Sequence, residues 1–146
     1  MDITAHAGAA YKHMYGLERF VAESALPKTI HALVKLRVSQ MNGCAFCVDM
    51  HAHDLKAEGE SDERLHSVVT WREAPFFTAR ERAALALAEE ATELGRDGVG
   101  DEVWAAVREH FDDEQVAALV VAIATINAWN RFGTILRLVP GSLRAG

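Results

Sequence analysis

The chain has 146 residues, enough for one domain with a sizeable core; half of them are hydrophobic and a quarter charged. A formal charge of −6 without a polybasic stripe argues against nucleic-acid binding, which needs a basic surface to meet phosphates. No apolar run approaches the roughly 20 residues of a membrane span, and Met1-Asp2-Ile3-Thr4 has neither the basic nor the apolar region of a signal peptide. The expected location is the cytoplasm, where two cysteines are poor candidates for a permanent structural disulfide.

The pattern along the chain predicts an all-α fold of about six or seven helices in a single domain, residues 1–146. A first helix is predicted over Ala7 to Ser24, ending before Pro27. A second follows Pro27, with Ile30, Leu33, Val34, Arg37, Val38 and Met41 at helical spacing. Leu36 adds apolar character to its other side, so it is expected to be buried nearly all round. Asn42-Gly43 stops it, and a third helix runs from Cys44 to Gly59, a C-terminal cap. Ser61 begins a short helix to Arg72, and Pro75 breaks the chain. Thr78 and Glu81 form a capping box for a helix to Leu94, followed by a loop with Gly95, Gly98 and Gly100. A helix over Asp101 to Phe111 precedes the last one, capped by Asp112 or Asp113. There Val116, Leu119, Val120 and Ile123 make an apolar stripe, which Asn127 and Asn130 extend, and Pro140-Gly141 ends the helix. Buried amides need partners, so these two asparagines are expected to bond across helices, line the site or lie in a subunit interface, with structural bonding the first of these.

Cys44 and Cys47 carry the chemistry. On a helix they stand about 60° apart and one turn on, a spacing that lets a disulfide close with little backbone movement. Because Asn42-Gly43 precedes them, they fall on the first turn, where free amides and the helix dipole stabilise a thiolate. His51 lies one further turn on, on the same face, placed to accept the Cys47 proton or to stabilise the thiolate as imidazolium. Cys47 is therefore the candidate attacking thiol and Cys44 the resolving one; Asp49 and His53 point away from that face. The same positions, with Val48 and Leu55, also make a core-facing stripe of small hydrophobes and a satisfied histidine. A shared zinc fits poorly, because Cys44 and His51 are separated by a rise of about 10 Å. No metal or other cofactor is expected.

The segment 33–51, LVKLRVSQMNGCAFCVDMH, resembles the core of the carboxymuconolactone decarboxylase superfamily in its AhpD-like alkylhydroperoxidase branch. The resemblance continues through residues 11–18, 59–65, 71–77, 80–85 and 126–131, so it covers most of the chain. It implies an all-helical fold, homo-oligomers (trimers or hexamers), and a redox-active cysteine pair that reduces hydroperoxides and is regenerated by a dithiol or redox-protein reductant. By this resemblance Cys47 attacks peroxide, Cys44 resolves, and His51 helps activate the thiol. Two positions depart from the branch: Phe46 stands where a histidine precedes the second cysteine, and Ala32 stands where a proton-relay glutamate is found. The full relay is therefore absent at the matching positions; Glu18 and Glu23 are the candidates for a substitute acid from elsewhere.

The expected activity is thus a thiol-dependent, peroxiredoxin-like alkylhydroperoxidase with an antioxidant role. The alternatives are a non-redox enzyme of the carboxymuconolactone decarboxylase type, which needs no cysteine pair, and an oligomeric redox-sensing or binding protein. Arg37, on an apolar stripe, is expected to pair with an acid. Trp71, Trp104 and Trp129 are read as core or interface, and His6, His13, His31, His66 and His110 form no constellation.

Overall fold

Short-range capping chemistry decides where most helices begin. In the computed structural model, which describes residues 1–143, seven α-helices and one short 3₁₀ turn form, with no strand among the described residues. The Asp2 carboxylate accepts from the amides of Thr4 and Ala5, so α1 (Ile3–Glu23) starts ahead of the predicted Ala7. Ala7 is instead a kink within the helix, with φ −132° and ψ 31°. α2 (Lys28–Met41) follows Pro27, whose ring holds φ at −56°, a good entry to a helix. Ile30, Leu33, Val34, Leu36, Val38 and Ser39 are buried around α2, which packs against α3, α5 and α7.

α3 (Ala45–Ala57) ends in a paired cap: Gly59 N–H donates to the Lys56 carbonyl and Glu60 N–H to that of Leu55. Gly59 supplies the positive φ of 93° that this geometry requires. Ser61 caps α4 (Asp62–Ser67), which passes into the 3₁₀ turn Val68–Thr70 rather than continuing to Arg72. The three consecutive β-branched residues of that turn lose side-chain freedom in an α-helix, which favours the change. The Thr78–Glu81 capping box opens α5 (Ala79–Glu93) as predicted. After the glycine loop come α6 (Asp101–His110) and α7 (Asp113–Ile135), the latter opened by a second capping box from Asp112 and Gln115.

α7 differs from expectation in three respects. It stops at Ile135, well short of Pro140, because Arg137 turns left-handed (φ 54°) and the amides of Arg137 and Leu138 bond back to Thr134 and Gly133. Val116, Leu119 and Ile123 are buried, but Val120 is about half exposed. The helix is also long and apolar enough to cross a membrane by length and composition, and half of that stretch is buried inside the protein as core.

Two hydrophobic clusters share α2 and α5. One joins Val21, Ile30, Val34, Val38, Leu87, Val107, Leu119 and Ile126; the other joins Leu33, Leu36, Leu55, Val68, Trp71, Phe77 and Leu85. Polar bonds fix the helices between them. Arg37 does pair with an acid: its Nε donates to Glu89 at 2.6 Å, and Trp71 Nε1 and Arg72 donate to the same carboxylate. Asn42 donates to both Asn127 and Asn130 at 2.9 Å, and Asn130 donates to Ser39 at 3.0 Å. The two amides on α7 therefore bond across helices, and they pin the end of α2 just ahead of the cysteines.

Candidate redox site

Cys44 occupies a junction. As α2 ends, Gly43 takes φ 65°, its amide donates to Gln40, and the Cys44 amide donates to Ser39. Cys44 then serves as the N-cap of α3, with its sulfur accepting from the Cys47 amide at 3.3 Å. It is therefore a flanking residue, outside the helix that the spacing predicted to include it. The pair is closed as a disulfide with its Cα atoms 5.3 Å apart. Both cysteines are buried.

Gly133 of α7 closes the other side. A Cβ built there would stand 2.7 Å from Cys44 Sγ and 3.2 Å from Cys47 Sγ, so the disulfide leaves no room for a side chain at this position. An isolated glycine inside a long apolar helix is the signal that could have marked this close approach.

The two sulfurs face different surroundings. The helix amide is directed at Cys44, whereas Cys47 borders a cavity of about 490 Å³. That cavity is lined by Tyr11, Tyr15, Trp129 and Phe132, whose rings stack edge-on or tilted at centroid distances of 5.1–6.3 Å. Phe46, the departure from the branch pattern, is also on its wall, as are Glu18, Lys35, His51 and Asp54. Lys35 and Glu18 form an ion pair at 2.9 Å. Of the two candidate substitute acids, Glu18 thus reaches the cavity, while Glu23 lies exposed on α1.

His51, on the face of α3 that helical spacing gives it in common with Cys47, lies on the same cavity wall. Burial, with smaller contributions from the Lys35 cation and from His31, pushes its pKa down to about 3. The ring is neutral near pH 7, the form that can accept a proton. Its Nδ1 lies 3.7 Å from Asp54 Oδ2, and its Nε2 is buried without a hydrogen-bond partner among the described residues. Asp54 continues the same face of α3 one turn beyond His51, a position helical spacing alone reaches. His31, expected to stand in no constellation, has a pKa pushed down to about 4 by burial first and Lys35 second, and it is close enough to influence His51. Asp49 turns away to accept from the Gly141 amide at 2.9 Å, and His53 is exposed. Trp71 is core, Trp129 lines the cavity, and Trp104 is 44% exposed.

The model of the carboxymuconolactone decarboxylase family matches residues 5–90, which include the cysteine pair and His51. The chain belongs to this family. Two family relatives are similar over most of its length. The uncharacterised protein YdfG of Bacillus subtilis (strain 168) is 44% identical over 120 residues, covering 82% of each chain. The uncharacterised protein YnjA of Escherichia coli (strain K12) is 32% identical over 113 residues, 77% of this chain and 62% of its own. Among solved structures, a protein of unknown function from Agrobacterium tumefaciens, described as a candidate antioxidant defence protein AhpD, superposes with a TM-score of 0.91. It is 36% identical, and the match covers 96% of both chains. The chain thus has the AhpD-like fold of this family, which agrees with the all-α reading of its sequence.

Proposed function

We propose that this protein is a thiol-dependent hydroperoxide reductase in which Cys47 attacks, Cys44 resolves and His51 accepts the proton of the attacking thiol. One observation carries the reading: a closed Cys44–Cys47 disulfide at the start of α3, with Cys47 and a neutral, buried His51 on the wall of one cavity. The Agrobacterium relative, a candidate antioxidant defence protein AhpD, supports an antioxidant role.

In the reduced protein the Cys47 proton moves to His51, and the thiolate attacks the distal oxygen of the hydroperoxide. The O–O bond breaks, leaving Cys47 as a sulfenic acid, while the departing alkoxide takes a proton from the imidazolium and leaves as an alcohol. The Cys44 thiol then attacks the sulfenic sulfur, forming the disulfide and releasing water. A dithiol or redox-protein reductant restores both thiols by exchange. The aromatic wall formed by Tyr11, Tyr15, Trp129 and Phe132 suits a hydroperoxide bearing an apolar group. We place the enzyme in the cytoplasm, acting as a homo-oligomer, a trimer or a hexamer.

The test follows cumene hydroperoxide and hydrogen peroxide consumption with excess dithiothreitol. The wild type is expected to turn over repeatedly, favouring cumene hydroperoxide, whereas Cys47→Ser stops consumption, and Cys44→Ser treated with peroxide after removal of dithiothreitol holds a sulfenic acid that dimedone traps. Equal consumption by wild type and Cys47→Ser overturns the reading. A single stoichiometric oxidation without turnover favours a redox sensor instead.

A further inference from the structure

Cys47, His51 and Asp54 stand at i, i+4 and i+7 on α3, so three successive turns carry a thiol, an imidazole and a carboxylate on one face. Their exposure differs sharply. The His51 side chain is 5% exposed and that of Asp54 is 63% exposed, so the carboxylate links a buried ring to water. His51 Nδ1 faces Asp54 at 3.7 Å, leaving Nε2 as the nitrogen that is buried and bare. Buried polar atoms without partners are uncommon and call for an explanation. Cys47, one turn earlier on the same face, has no S–H to donate while the disulfide is closed.

Two cavities meet at this imidazole. Besides the aromatic cavity beside Cys47, a second of about 430 Å³ lies between α2 and α3 and is lined by Lys28, His31, Ala32 and Glu58 among others. Lys35, His51 and Asp54 belong to both walls. The second cavity gives the ring a route to solvent that does not cross the space beside Cys47.

We propose, resting on the Cys47–His51 assignment above, that Asp54 is the positioning residue of a Cys47–His51–Asp54 relay. It holds the imidazole with a proton on Nδ1, leaves Nε2 free to take the Cys47 proton, and stabilises the imidazolium formed when the thiolate appears. The 3.7 Å separation closes to a hydrogen bond, or is bridged by one water, once the ring is charged; catalytic hydrogen bonds are often long before the reactive state forms. Proton count is conserved: Cys47 loses one proton, His51 gains it, and the alkoxide leaving group or solvent beside Asp54 receives it.

The neighbouring groups single out Asp54 for this role. The Glu18 carboxylate on α1 is taken up by Lys35, Ala32 has no acid, and Glu58 lines the second cavity alone. From α2, Lys35 and His31 bear on the ring, and the Lys35 cation opposes its protonation. Lys28 also lines the second cavity. Asp54 is the carboxylate that faces the ring, 3.7 Å from Nδ1, so the place of the glutamate missing at Ala32 is taken from α3 itself.

The experiment measures the pH dependence of Cys47 alkylation by iodoacetamide in a Cys44→Ser background, where one thiol reports. Asp54→Asn is expected to move the alkylation midpoint up by about one pH unit, slowing the reaction near neutral pH about tenfold. Asp54→Glu restores most of the rate, and in a His51→Gln background Asp54→Asn changes it less than about twofold, because the partner it works through is gone. An unmoved midpoint in Asp54→Asn, or an undiminished effect without His51, overturns the relay. Asp54→Ser repeats the test should the asparagine variant fail to fold. Alkylation needs no peroxide, so this result stands apart from whether hydroperoxide is the substrate, which Cys47→Ser turnover decides.

Discussion

Gly133→Ala is the most direct probe of how α7 and the cysteine pair depend on each other. The added Cβ would stand 2.7 Å from Cys44 Sγ and 3.2 Å from Cys47 Sγ. Unstrained contacts between carbon atoms lie at about 3.5–4.0 Å, and sulfur needs slightly more. The overlap is therefore close to 1 Å on the nearer sulfur, by the same spacing. In the oxidised protein that sulfur is tied to Cys47 and cannot rotate away. Overpacking of this kind costs about 1–3 kcal/mol, while replacing glycine by alanine inside a helix returns about 1 kcal/mol. The expected net loss for the oxidised form is about 1 kcal/mol, a fall of roughly 2–4 °C in melting midpoint for a chain of this size. In the dithiol the Cys44 side chain regains its rotation, so the reduced form loses less and the disulfide becomes easier to reduce. Thermal melts of oxidised and reduced protein measure both. Gly16→Ala provides the control, since a Cβ there meets no atom of the described residues within 4 Å and should raise stability in either state. Oxidised Gly133→Ala that melts at or above the wild type, or that shifts equally in both redox states, refutes the argument.

Stability should also carry the signature of His51. Its folded pKa of about 3 lies below the ordinary 6.5, so the unfolded chain binds the proton more readily. Stability is then unaffected above pH 6.5 and falls as pH drops from 6.5 toward 3, by up to about 1.4 kcal/mol per pH unit. His31 adds to the loss between 6.5 and about 4. Urea unfolding across this range should show a flatter dependence in His51→Gln, and parallel curves for variant and wild type count against a buried neutral ring. Asn130→Ala removes a donor to Ser39 and an acceptor for Asn42 at a buried position, at an expected cost of about 2–3 kcal/mol. A loss below about 0.5 kcal/mol in denaturant unfolding would mean that the amide network does not hold α2 to α7.

How far the sequence could be read depends on the range of the forces involved. Helix starts at Ser61, Thr78 and Asp112 were legible because a cap acts within three residues. Asp2 caps in the same way, but the apolar pattern that anchors such a reading begins further along, so the start of α1 was misplaced. Cys44, Cys47 and His51 share a face because helical periodicity demands it, and the same arithmetic reaches Asp54 once it is carried one turn further. The end of α7 was misread because Arg137 makes a left-handed cap without glycine, which no local residue preference announces.

By itself, then, the sequence determined the helical class, most helix starts, and the placing of a dithiol and a histidine on one face of one helix. Each of these depends on residues only a turn or two apart. Tertiary structure alone decided which sulfur borders the cavity, that Glu18 is spent on Lys35, that Trp129 meets Tyr11 and Tyr15, and that Gly133 abuts the disulfide. These partners come from α1, α2 and α7, and only the packing of those helices brings them to the start of α3. The pKa of His51 belongs to the same category, because burial by distant chain segments, more than its neighbours in sequence, sets the cost of charging it.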